Sequence, residues 1–271
     1  AYKKENTHHQ PVSFGREKII YIDTELYFAA ISNRSGGSFK QFILKNYNGG
    51  YDQLNEYDNN APVSLIPPNE ESCTPCLLYT NGVNNNTLYL NNYFDSEYTE
   101  GDTVSLSNKD TFSLSFFLTS DEGFEITKSI YFSGDSYVFN HAIEFIPGDY
   151  NYSDLIQLAW LGGLLPTENN EEEDLNNSGV VISQAGEIEN FNHLDNTFVP
   201  LTKLNGDTDW IAIKTKYFIA SLVPVSSQGT SGAYSYKTIN IEGREITPSY
   251  NAQIVFPVKN NFTLNADVYF G

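Results

Sequence analysis

From Phe112 to Phe145 apolar and polar side chains exchange places at almost every step. Phe112, Leu114, Phe116 and Leu118 fall in one phase, with Ser113 and Ser115 in the other. Successive side chains of a strand point to opposite faces, so this spacing predicts a half-buried β-strand. Ser120-Asp121-Glu122-Gly123 predicts a turn, and Phe124, Ile126, Ile130 and Phe132 return from it. Ser133–Ser136 turns again; Tyr137, Phe139, His141, Ile143 and Phe145 form the face of a third strand, which Pro147-Gly148-Asp149 ends. The run predicts an antiparallel meander. The same period opens at Ile19, where Leu26, Phe28 and Ala30 alternate with Tyr27, Ala29 and Ile31 before a turn at Asn33–Gly37. It resumes after Asp209, in Tyr234–Ile241 and Ala252–Phe256, and in the closing Phe262, Leu264, Ala266, Val268 and Phe270.

Between these runs the pattern breaks. Residues 1–18 are polar and predict a tail or linker. Residues 45–105, rich in Asn, Asp, Tyr and Pro, predict a long irregular insertion with short strand-like pieces such as Thr87–Leu90. Glu168–Asn177 reads as a solvated acidic loop. No segment holds a helical period over three turns, and no fixed-length repeat is present. The expectation is an all-β chain with little or no helix, 19–271 forming one sandwich-like domain.

Composition narrows what such a domain does. The 271 residues carry a formal net charge of −19, which repels phosphates and argues against nucleic acid as a partner. No apolar run reaches the length of a bilayer span. The chain opens on Ala1 and contains no Met, as expected of an excised or processed segment.

Candidate chemistry is sparse. Cys73 and Cys76 are the only cysteines; in Cys-Thr-Pro-Cys they have redox-pair spacing, but no strand-then-helix pattern follows to activate a thiol, and a small disulfide or two free thiols is the simpler reading. The histidines are His8, His9, His141 and His193. His8 and His9 lie in the polar tail. His141 shares an apolar strand face, which suits a core residue better than a base, and Glu144 falls on the opposite face. No nucleophile elbow, phosphate loop or metal-spaced histidine pair is present, so no metal or cofactor is expected. Trp160 and Trp210 are the only tryptophans. Exposed, they and His141 would line a sugar or peptide cleft; buried, they are core. Asn-x-Ser/Thr triplets such as Asn33-Arg34-Ser35 arise readily in an Asn-rich chain and only weakly favour a secreted protein. An exposed edge strand would offer a peptide a place to add.

Three ordered segments carry a resemblance. They are Ile31–Leu44 around Gly36-Gly37, Trp160-Leu161-Gly162-Gly163-Leu164, and Asp209–Pro224, which includes Tyr217 and ends on Pro224. With the Phe112–Phe145 meander and the closing Val268-Tyr269-Phe270-Gly271, they resemble the large extracytoplasmic domain of the YidC membrane protein insertase family, from about Ile19 to Gly271. The resemblance is poorest over 45–105. It implies a large two-sheet β-supersandwich, galactose mutarotase-like in fold. It also implies a place on the periplasmic side of the bacterial inner membrane, anchored through segments absent from this chain.

The same resemblance implies a non-catalytic accessory role: contact with accessory subunits of the Sec translocon, or with nascent membrane proteins. Gly36, Gly37, Gly162, Gly163, Tyr217 and Pro224 are then structural landmarks. The family's insertion residues lie in membrane helices that this chain does not contain. The rivals are a carbohydrate-binding or mutarotase-like carbohydrate-converting protein, which would need a histidine and a glutamate converging in a cleft, and a secreted adhesive domain. Fold alone does not choose among them.

Overall fold

The computed structural model describes residues 15–51, 57–67, 73–121, 123–148, 154–192, 199–226, 232–239, 248–258 and 262–271. The expected tail and His193 lie outside the described residues, apart from residues 15–18. The first strands are β1 (Ile19–Thr24), β2 (Tyr27–Ser32), β3 (Ser38–Tyr51), β4 (Tyr57–Ser64), β5 (Cys73–Thr80), β6 (Thr87–Tyr89), β7 (Asp95–Ser96) and β8 (Thr103–Leu106). The meander follows as β9 (Thr111–Thr119), β10 (Glu125–Ser133) and β11 (Val138–Ile146), then β12 (Leu155–Leu161). After helix α1 (Glu171–Asn177) come β13 (Gly179–Gln184), β14 (Glu187–Phe191), β15 (Val199–Asn205), β16 (Thr208–Lys214) and β17 (Ile219–Pro224). The chain closes with β18 (Gly232–Ile239), β19 (Pro248–Pro257) and β20 (Phe262–Phe270).

These strands form a five-stranded sheet (β4-β3-β2-β1-β8), a nine-stranded sheet (β14-β13-β16-β17-β20-β11-β10-β9-β7) and a six-stranded sheet (β15-β18-β19-β12-β5-β6). The meander has the predicted register: Leu114 faces Ile130 and Ile126 faces Phe145. The inner face of the nine-stranded sheet meets both smaller sheets. Phe270 of β20 stacks on Phe42 of β3 at 4.2 Å, meets Phe39 at 4.9 Å, and lies against Trp160 of β12 at 5.2 Å. Two layers are therefore present, but one is divided into two hydrogen-bonded sheets.

The region 45–105 is far more regular than its sequence suggests. It holds the end of β3, all of β4 to β7 and most of β8. β5 was illegible because both of its faces are covered: Cys73–Leu77 are all buried, so no alternation marks it. β4, Tyr-Asp-Asn-Asn-Ala-Pro-Val-Ser, is a polar edge strand, where Pro is tolerated.

Helix α1 falls inside the expected acidic loop. Asn170 Oδ1 accepts the Glu173 amide at 3.2 Å, an N-cap bond. Asp174, wholly buried, accepts the amides of Thr167 at 2.6 Å and Lys216 at 3.0 Å, so the helix ties two loops together.

Candidate functional site

The predicted turn at Asn33–Gly37 plugs into the nine-stranded sheet. Ser35, Gly36 and Gly37 have consecutive positive φ values of 53°, 68° and 94°. A Cβ on Gly37 would stand 2.5 Å from Ile130 Cδ1 and 2.7 Å from Phe116 Cε2. One on Gly36 would touch Phe94 at 3.0 Å and Lys128 Cδ at 3.2 Å. Glycine is required at Gly37 for both conformation and space. Segment 92–94 clamps the turn from the side: Ser35 N–H donates to Asn92 O at 2.8 Å, and Phe94 N–H to Asn33 O at 2.9 Å.

Beneath the turn lies a residue that the alternation passes over. Lys128 sits in β10 between Ile126 and Ile130, in phase with them, and none of it reaches solvent. Its Nζ points at the carbonyls of Ser35 (3.2 Å), Gly37 (3.5 Å) and Pro75 (3.5 Å). Ser35 and Gly37 belong to the five-stranded sheet's turn, and Pro75 to β5 of the six-stranded sheet. Burial without an opposing charge pulls the amine from its ordinary value near 10.5 down to about 7. His141, opposite Ile130 on β11, is also buried, and neither ring nitrogen has a hydrogen-bond partner. Desolvation, then the nearby Lys128 charge, hold it well below the usual imidazole range. The signal in the sequence was a lysine in an apolar phase, a position where a charge is rarely fully buried unless paired.

The other candidates separate. Trp160 is core: its indole N–H donates to Gly163 O at 2.9 Å, folding the chain back over Gly162 and Gly163. Gly162 N–H in turn donates to Asn251 Oδ1 at 2.8 Å. Trp210, on β16 of a different sheet, is half-buried opposite Ser183. Cys73 and Cys76 are disulfide-bonded and buried within β5 beside Ala159 and Leu161. Pro224 is buried opposite Ala266 at the end of β17, whereas Tyr217 is exposed beneath the Lys216 ammonium, 4.8 Å from its ring centre. Trp160, Trp210 and His141 thus do not line one open cleft.

The open surface lies elsewhere. The outer face of β9, β10, β11 and β20 presents hydroxyls, with Ser115 and Ser129 bonded across strands at 2.9 Å. Among them Phe117, Tyr131, Val138 and Ile146 are exposed by 41, 48, 36 and 49%. Its charges are Glu125, Glu144 and Asp267, and it carries no lysine or arginine. Among the described residues no cluster of three metal-ligating side chains occurs, and no helix is long and apolar enough to cross a membrane.

Comparison with known structures places this architecture. A galactose mutarotase-related enzyme from Lactobacillus acidophilus matches with a TM-score of 0.52 at 10% identity, over 93% of this chain and 97% of that one. A galactose mutarotase-like protein from Clostridium acetobutylicum matches at 0.50 and 11%, over 94% and 97%. At such identities the likeness shows the fold alone, the expected mutarotase-like sandwich. Sequence comparison is more specific. The membrane protein insertase YidC of Prosthecochloris aestuarii is 30% identical over 231 residues, 82% of this chain and 36% of that protein. The corresponding protein of Chloroherpeton thalassium is 28% identical over 223 residues, 81% of this chain and 35% of that one. The chain thus spans about a third of the length of these relatives. The family model of the YidC periplasmic domain matches residues 19–271, nearly the whole chain and with it the turn, the meander and the Trp160 segment, so the chain belongs to the YidC periplasmic domain family.

Proposed function

We propose that this domain is a non-catalytic docking platform of a membrane protein insertase, and that accessory subunits of the Sec translocon are what it holds. The observation that carries the reading is the open face of β9–β10–β11–β20. Four large apolar side chains stand exposed there among hydroxyls and three carboxylates, with no cation. Apolar anchors ringed by polar groups are the composition of a protein-binding patch. The carboxylates favour a partner that brings lysine or arginine to the contact. Such a platform faces the periplasm, tethered to the inner membrane by the parts of the protein outside this chain.

Deleting residues 19–271 from the full-length protein is expected to leave membrane insertion largely intact while weakening co-purification with Sec subunits. Total loss of insertion would contradict an accessory role. Phe117→Lys with Tyr131→Lys is expected to give the same weakening without loss of fold. Retained Sec association together with loss of nascent-chain crosslinks would reassign the face to emerging substrates.

The carbohydrate reading is less well supported. It asks His141 to meet both a sugar and a glutamate, yet that imidazole is buried, has no hydrogen-bonded carboxylate, and has Glu144 on the other side of its strand. Titration with galactose and glucose, followed by calorimetry, is expected to give no heat. Saturable binding would restore the rival.

A further inference from the structure

Lys128 reaches from β10, an interior strand of the nine-stranded sheet, to acceptors on both of the other sheets. We propose that Lys128, with His141 beside it, is a proton-operated tie: charging and hydrating the amine releases the β2–β3 turn and β5 from β10, so the seam between the three sheets opens locally as the pH falls. The inference does not depend on what docks on the outer face.

The geometry supplies the lever. The amine is wholly buried while the turn is seated, and the turn leaves no space for even a methyl on Gly36 or Gly37 beside Phe94, Phe116 and Ile130. Its three acceptors are backbone carbonyls, which offer dipoles and no countercharge. From β11 the titratable group facing it is His141, a second base. β9 brings Phe116, the turn brings Ser35 to Gly37, segment 92–94 brings Phe94, and β5 brings Pro75 beside a disulfide-bonded cysteine. Arg34, next to the turn, directs its guanidinium to Asn91. Among these described neighbours there is no carboxylate to hold the amine as a cation. An ammonium here exchanges a full hydration shell for carbonyls at 3.2–3.5 Å, and each conformation that returns it to water is favoured by the difference.

The sign follows from linkage. The seated amine titrates at about 7 and the released one near 10.5, so between those values release takes up a proton. The opening constant therefore grows as the pH falls, by up to roughly tenfold per unit, and levels off below the seated value. His141, also depressed, adds a second proton to the released state at still lower pH.

Amide hydrogen exchange reads this directly. Three reporters belong to the seam: Ser35 N–H on Asn92 O, Ser38 N–H on Arg34 O, and Leu77 N–H on Ser35 Oγ. Chemical exchange is hydroxide-catalysed and rises about tenfold per pH unit; an opening constant that falls roughly tenfold per unit cancels it. The expected result is an exchange rate nearly flat from pH 7 to pH 9 at the three reporters, against a steep rise at the edge strand β14, which frays without exposing Lys128. The reporters should also exchange faster than the β17–β20 ladder, which marks the release as local. Lys128→Met is expected to return them to the steep rise. Reporters that climb like β14 in the wild-type chain, that exchange no faster than β17–β20, or that stay flat in Lys128→Met would overturn the proposal. If Lys128→Met does not fold, the wild-type profile decides by itself.

Discussion

Gly37 sets the tolerance of the whole seam. Its φ of +94° disfavours any L side chain, and the space for a methyl is already filled by Ile130 and Phe116. Gly37→Ala is expected to cost about 2–4 kcal/mol in a urea titration, since strain and overpacking add. Gly101, with φ +85° and open space around its missing Cβ, is the control and should lose only the strain part. Lys128 makes a different prediction. A base whose folded value is depressed binds fewer protons in the folded chain than in the unfolded one. Unfolding free energy should therefore rise with pH between about 7 and 10.5, by on the order of 1 kcal/mol per unit, and flatten below about 7. Chemical denaturation at a series of pH values measures the slope, and Lys128→Met should remove most of it. Gly37 was half-legible, because adjacent glycines announced a turn; Lys128 was missed, although its phase with Ile126 and Ile130 carried the signal. Which side chains fill the space around them depends on β9, β10 and β5 arriving together.

At the scale of elements, α1 and β5 are the instructive cases. Seven residues are too few to hold a helix by propensity. α1 persists because Asp174 lies buried beneath the loops at Thr167 and Lys216 and accepts an amide from each. Asp174→Ala leaves both donors unpartnered and is expected to cost about 2–4 kcal/mol, read as a fall in melting temperature; Asp174→Asn, which keeps one acceptor, should cost less. β5 is covered on both faces and cross-linked internally. Cys73→Ser with Cys76→Ser is expected to lower stability by roughly 2 kcal/mol or more, the entropic part being small for so short a loop and the rest coming from burying two hydroxyls among Ala159 and Leu161. The meander β9–β10–β11 was readable because one face is wet and the other dry. β4 and β5 were not, because one is a polar edge and the other has no wet face.

At the scale of the whole molecule, the nine-stranded sheet has two unlike faces. The inner face of the nine-stranded sheet is consumed by aromatic packing, with Phe270 touching Phe39, Phe42, Phe139 and Trp160. The outer face is the one on which docking is proposed. Phe117→Lys and Tyr131→Lys each add charge to an exposed position and are expected to change stability by no more than about 0.5 kcal/mol. Their whole effect should appear in partner association, compared by co-purification at matched thermal stability. An acidic surface with a net charge of −19 also predicts that association with a basic partner weakens as salt is raised, which a titration at increasing ionic strength would show.

The period-two alternation by itself determined that this chain is built of sheets, where the meander turns, and that His141 points inward, because a strand sends alternate side chains to opposite faces whatever it pairs with. The ordered glycine, tryptophan and strand segments were enough to suggest the family. Only the tertiary structure decided that one layer splits into five- and six-stranded sheets and that Trp160 folds onto Gly163. It alone put the amine of Lys128 under the carbonyls of residues 35, 37 and 75. Those contacts join positions as far as 93 residues apart, and alternation, a local property, carries no record of which distant backbone will close over a given side chain.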